Sequence, residues 1–118
     1  MLVALGCTQA LYFDADGTSH GTGERDYNYK SGAIKLRENY KDGKIVLSRW
    51  FAPDGDLIQQ SVWSDGTGEG IYLREDGSIR MRMQYVNGIA EGEALAYDEA
   101  GHATKMMYRA GKLVGEGP

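Results

Sequence analysis

A glycine recurs about every eleven residues along most of this chain. It stands at positions 21, 32, 43, 55, 66, 77, 88, 101 and 111. Most of these glycines follow a turn former or a small residue: Ser31, Asp42, Asp54, Asp65, Asp76, Asn87, Ala100 or Ala110. Asp-Gly and Asn-Gly are strong hairpin signals, because tight hairpin turns hold central residues at positive φ. A turn at every step leaves room only for short elements. No stretch of ten or more residues carries a 3.6-residue apolar period, so the pattern predicts an all-β chain.

The intervals alternate between two kinds. Tyr40, Trp63, Tyr85 and Tyr108 stand three residues before every second glycine. Tyr12, Tyr27, Trp50, Tyr72 and Tyr97 stand four or five before the others. The unit is therefore two strands and two turns, about 22–24 residues. Gly-Thr-Gly-Glu occurs at 21–24 and again at 66–69, at equivalent points of the unit. A single domain spanning 1–118 follows, with repeat units of about 27–48, 49–70, 71–92 and 93–117. Residues 1–26 form a degenerate first unit, as terminal repeats are commonly atypical.

Ile79 to Tyr85 alternates strictly, apolar then polar, which is the signature of a half-buried antiparallel strand. Ile34, Leu36 and Tyr40 repeat the pattern, and Glu38 breaks the stripe. The expected fold is an antiparallel meander of nine to eleven short strands in repeated β-hairpins, a single-layer sheet that curls. The alternative is closure into a small β-barrel, with Gln59, Gln60 and Gln84 as polar candidates for its interior. An open single layer has two faces to cover. It curls, pairs with another copy, or offers a face to a partner.

Composition narrows the chemistry. The 118 residues include one Cys and two His, which excludes a disulfide framework and a Cys-based zinc site. The net charge is −4, and an acidic whole is a poor phosphate binder, so no nucleic acid is expected. The charge is uneven, and residues 27–53 hold six bases against Glu38 and Asp42. No Gly-x-Ser-x-Gly occurs, and Ser64-Asp65 has no His nearby in sequence. The Gly66-Thr-Gly-Glu-Gly run lacks the following helix that a phosphate cradle needs. Asp14-Ala-Asp16-Gly17 begins like a calcium loop, but Arg25 stands where the bidentate Glu belongs. Glu91 and Glu93 alternate onto one strand face as a solvated pair. No enzyme activity, cofactor or metal is expected.

The aromatics Tyr40, Trp63, Tyr85 and Tyr108 share a phase and are expected to form a ladder along one face. Such a ladder reads either as core or as a contact groove, since Tyr and Trp dominate binding hot spots. Met81 and Met83 belong to an adaptable apolar cluster and join the four aromatics as candidate partner-binding residues.

Several segments resemble a known repeat. Tyr-Lys-Asp-Gly-Lys (40–44), Tyr-Val-Asn-Gly-Ile-Ala-Glu-Gly (85–92) and Tyr-Arg-Ala-Gly-Lys-Leu-Val-Gly (108–115) are similar to the MORN repeat, and specifically to its bacterial antitoxin-type variant. Residues 50–57 and 72–79 match the other half of that unit. The resemblance covers about residues 27–117. The chain departs from it at Lys44-Ile-Val-Leu, where the second glycine is missing. The resemblance implies stacked β-hairpins used for protein–protein contact and an antitoxin-like or immunity-like role, with another protein or a second copy as partner. The expected compartment is the cytoplasm. The apolar start ending in Gly6-Cys7 reads as a first strand over 2–13, or else as a trimmed lipoprotein signal that would make Cys7 the lipid anchor of an envelope or periplasmic protein.

Overall fold

The structure, a computed structural model, describes residues 9–117. Cys7 lies outside them, and so does the choice between an anchored and a first-strand N-terminus.

Among the described residues the chain is all β, with no helix. Two short strands open it, β1 (Tyr12–Phe13) and β2 (Ser19–His20). A four-stranded sheet follows in simple order: β3 (Gly23–Asn28), β4 (Ile34–Lys41), β5 (Lys44–Phe51) and β6 (Leu57–Val62). The second large sheet holds β7 (Gly68–Leu73), β8 (Ile79–Val86), β9 (Ile89–Ala90), β10 (Gly92–Tyr97), β11 (Ala103–Arg109) and β12 (Lys112–Gly117). Its order is β7-β8-β10-β11-β12, with β9 also on β8. Every strand pair within the sheets is antiparallel and joins neighbours in the chain, except that β8 pairs with β10 as well as with the short β9 between them. The meander is therefore open, and the barrel alternative does not hold. Among the described residues, β7 and β12 are the edge strands of that sheet, and β3 and β6 those of the other. The twelve strands exceed the expected nine to eleven for a local reason. Gly92, at φ 91°, interrupts one hairpin strand and splits it into β9 and β10.

The two kinds of glycine interval are two kinds of turn at opposite edges. Along one edge, Asp42-Gly43, Asp65-Gly66, Asn87-Gly88 and Ala110-Gly111 hold both residues at positive φ, near 50° and 80°. Those are two-residue hairpin turns whose twist matches the strands. Along the other edge, Gly17, Gly32, Gly55, Gly77 and Gly101 close five alike turns. In each, the glycine N–H returns to a carbonyl three residues back, as Gly77 does to Arg74 at 2.9 Å. Asp16, Asp54 and Asp76 brace these turns by accepting the N–H two residues on, at 2.9–3.0 Å.

The tight turns stack on one another. Gly43 N–H donates to the Gly21 carbonyl at 2.7 Å, and Gly88 N–H to the Gly66 carbonyl at 2.9 Å. The threonines of the two Gly-Thr-Gly-Glu copies complete this link. The Thr22 hydroxyl accepts from Asp42 N–H at 3.1 Å, and the Thr67 hydroxyl from Asn87 N–H at 3.2 Å. At the departure from the repeat, where Lys44-Ile45 replaces Thr-Gly, an ion pair from Lys44 to Asp65 at 2.8 Å takes over. The opposite edge stacks through side chains: Tyr29 hydroxyl donates to the Phe51 carbonyl at 2.6 Å, and Arg74 donates to the Tyr97 carbonyl.

Stacking of this kind makes a long molecule. The radius of gyration is 16.4 Å and the extents are 61 × 35 × 25 Å. A compact domain of this length has a radius of about 13–14 Å. The main core sits at the joint between the two large sheets, where Trp50, Ile71 and Leu73 pack with Leu36, Ile58 and Ile79. No helix among the described residues is long and apolar enough to cross a membrane.

Candidate functional site

The joint between the large sheets is also where a groove forms. β6 and β7 meet at a turn, with Ser64 and Thr67 exchanging backbone hydrogen bonds at 2.9–3.0 Å. Beyond it they part. Glu69 N–H finds the Ser61 hydroxyl at 3.1 Å in place of a strand carbonyl. The sheet bends here and brings β4–β5 against β7–β8.

Two adjoining cavities, of about 510 and 390 Å³, run along the bend. They share Leu36, Glu38, Trp50, Ile71 and Tyr72, and together form one continuous groove. Trp50 and Ile71, both buried, make its floor. Trp63 and Tyr85 wall the larger cavity, their rings 5.8 Å apart and tilted by 42°. Tyr27 and Arg80 line the smaller one.

Small residues seat these rings. A Cβ on Gly68 would stand 2.6 Å from the Trp63 ring, and one on Gly70 would stand 2.8 Å from the Tyr85 ring. Neither glycine has a positive φ, so its role is space. The Gly-x-Gly of 68–70 is thus a floor for aromatics. Polar contacts then fix the rings. Trp63 indole N–H donates to the Ser48 hydroxyl at 3.0 Å, and Ser48 is almost wholly buried. The Tyr72 and Tyr85 hydroxyls hydrogen-bond each other. Burial pushes the Tyr85 phenol well up, and that bond adds to the rise.

Of the residues picked from the sequence, Trp63 and Tyr85 come together in the groove. Tyr40 is buried instead, its ring edge-on to Phe13 at 5.6 Å. Its hydroxyl donates to Glu38 at 2.9 Å, and burial, then this carboxylate, push its phenol far up. Tyr108 lies on β11 opposite Gly92, and it is not a groove wall. Met83 is buried opposite Gly70, while Met81 sits half-buried opposite Tyr72. The single ladder thus does not hold: the two members that flank the bend meet, and Tyr40 and Tyr108 lie outside the groove. Glu91 and Glu93 take different partners. The Gly92 kink separates them, sending Glu91 to Ala110 N–H at 3.2 Å and Glu93 to Lys105 at 3.4 Å.

The five residues that line both cavities are not among those the sequence singles out as a site: Leu36, Glu38, Trp50, Ile71 and Tyr72. Trp50 and Tyr72 were visible as the aromatics of the other glycine class. Glu38 was visible only as a break in a stripe. Among the described residues, no group of three or more His, Cys, Asp or Glu is placed to hold a metal ion. No family model, curated protein or solved structure matches the chain.

Proposed function

We propose that this chain is a non-enzymatic protein-binding module built from MORN-like β-hairpin repeats, and that the groove across the bend is its contact surface. One observation carries the reading: a long open groove with an apolar floor and rigid aromatic walls. Protein contacts concentrate their energy in such features, with Trp and Tyr anchors in dehydrated pockets. Trp63 and Tyr85 are held by hydrogen bonds and glycine seats, so little ordering cost remains for a partner to meet. The partner is another protein, in the cytoplasm, and the resemblance adds an antitoxin-like or immunity-like role.

A photo-crosslinking residue in place of Tyr72 tests this in lysate of the native host. The expected result is a discrete adduct with one protein, absent when the same residue replaces Glu99 in an exposed turn. Equal labelling from both positions, or no adduct from position 72, contradicts the reading. A Trp63→Ala/Tyr85→Ala variant that keeps its strand signature is expected to lose capture of the same protein.

A further inference from the structure

The smaller cavity of the groove carries two cations that strand pairing leaves over. Between β3 and β4, Tyr27 pairs with Leu36 and Asn28 with Ile34, so Lys35 has no residue opposite it. Between β7 and β8, Tyr72 pairs with Met81 and Leu73 with Ile79, so Arg80 has none either. Each is the extra residue of a β-bulge, a device that re-aims a side chain. The two bulges are one feature of the repeat, since Tyr27 and Lys35 recur as Tyr72 and Arg80 two units on. All four residues line the smaller cavity. The bend thus brings two equivalent bulges to one space.

Their charge is not met within the chain. Among the described residues neither Lys35 nor Arg80 has an ion-pair partner. Arg80 is exposed, and the Lys35 ammonium lies 5.4 Å from the centre of the Tyr29 ring. Among the described residues Glu38 is the only carboxylate that lines this cavity, and it is engaged. It accepts the Tyr40 hydroxyl at 2.9 Å, and Arg25 stands opposite it on β3. The carboxylates of the turn between β7 and β8 are engaged too. Glu75 accepts Lys30 N–H at 2.6 Å, and Asp76 accepts the Ser78 hydroxyl at 2.6 Å. The cavity therefore holds a surplus of positive charge above a floor of Trp50, Ile71 and Leu73, all buried.

Such a space favours an acidic occupant. A carboxylate accepts charge-assisted hydrogen bonds from a guanidinium, commonly as a bidentate fork, and an ammonium at the same cavity adds to the attraction. A cationic occupant meets two like charges instead, a repulsion of the kind that rejects wrong partners. We infer that Arg80, supported by Lys35, seats an aspartate or glutamate side chain of an extended partner segment, whose neighbouring apolar residue lies over Trp50 and Ile71. This deepens the reading of the groove as a protein contact surface and rests on it.

Selection of binders from a displayed library of random twelve-residue peptides, against the intact chain, tests it. The enriched peptides are expected to carry an aspartate or glutamate beside an apolar residue. Replacing that acid with its amide, asparagine or glutamine, is expected to weaken binding about tenfold, or ~1.4 kcal/mol. Arg80→Gln is expected to weaken the acidic peptide equally and to leave its amide counterpart unchanged, and Lys35→Gln to act in the same sense. Arg109→Gln, at an exposed position on β11, is expected to change neither. Peptides that depend on Trp63 and Tyr85, yet bind as tightly with the amide as with the acid or carry a cation in its place, overturn the assignment at Arg80 and leave the binding-module reading standing. Failure to enrich any peptide that depends on Trp63 and Tyr85 overturns both. The peptide-side replacement leaves the protein untouched, so a folding defect cannot imitate the result.

Discussion

At the residue scale, the sheet works by setting large rings on bare backbone. Gly68 and Gly70 lie in ordinary strand conformation, so alanine there adds a methyl group and no backbone strain. Gly70→Ala and Gly68→Ala are each expected to cost about 1–3 kcal/mol, the usual penalty for overpacking. Gly115→Ala, where nothing lies within 4 Å, is expected to be near neutral. Thermal unfolding with tryptophan fluorescence checks all three. The turn carboxylates make a second expectation. Hydrogen bonds from the backbone two to four residues on hold Asp16 and Asp98 below the usual carboxylate range, and Ser78 hydroxyl and N–H do the same for Asp76. A carboxylate with a lowered folded-state pKa adds stability above its unfolded value, near 3.8. That stability drains as pH falls through the folded value. Unfolding midpoints are therefore expected to drop below about pH 4. Asn at all three positions should flatten the drop, and an unchanged acid profile in that variant would count against the turns as its source.

At the element scale, the repeat is a stack of turns as much as a stack of strands. Gly66 and Gly88 occupy the same turn position, with φ of 80° and 81°. A Cβ at Gly66 would meet the Gly88 backbone nitrogen at 2.6 Å, whereas one at Gly88 meets nothing. Gly88→Ala is therefore expected to cost about 1–2 kcal/mol, the left-handed strain alone. Gly66→Ala is expected to cost more and to loosen the turn beyond it, seen in the amide shifts of Asn87 and Gly88. Equal penalties would mean that the turns do not stack. This scale was the most legible in the sequence. The glycine spacing foretold both turn classes, because each demands a positive φ at a fixed place. The repeated Gly-Thr-Gly-Glu marked the stacking threonines, though not what they bind. The bend at β6/β7 was not legible. Ser61, whose hydroxyl replaces a strand carbonyl there, reads like any polar strand residue. In the sequence Trp50 belongs to one repeat and Ile71 and Tyr72 to the next, and only the bend brings them together. That is why the candidates centred on one aromatic phase when the groove draws on both.

At the scale of the whole molecule, burial is concentrated at the joint and thins toward the C-terminal end. Trp50, Ile71 and Leu73 are buried, whereas Met107, Leu113 and Val114 on the last hairpin are 42–57 % exposed. Repeat stacks are held by contacts between neighbours, so local stability follows local burial. Amides of β12 are expected to exchange with solvent at least about tenfold faster than those of β5 and β8, a gap of ~1.4 kcal/mol. Uniform protection would show instead that the chain opens as one unit. The central claim, that the groove across the bend is the contact surface, is tested most directly by mapping a selected peptide onto the protein by ¹H–¹⁵N NMR. The largest shifts are expected at the Trp50 and Trp63 indoles and at the amides of Leu36, Glu38, Ile71 and Tyr72. Shifts gathered instead on the β11–β12 edge, with both indoles unmoved, would contradict it.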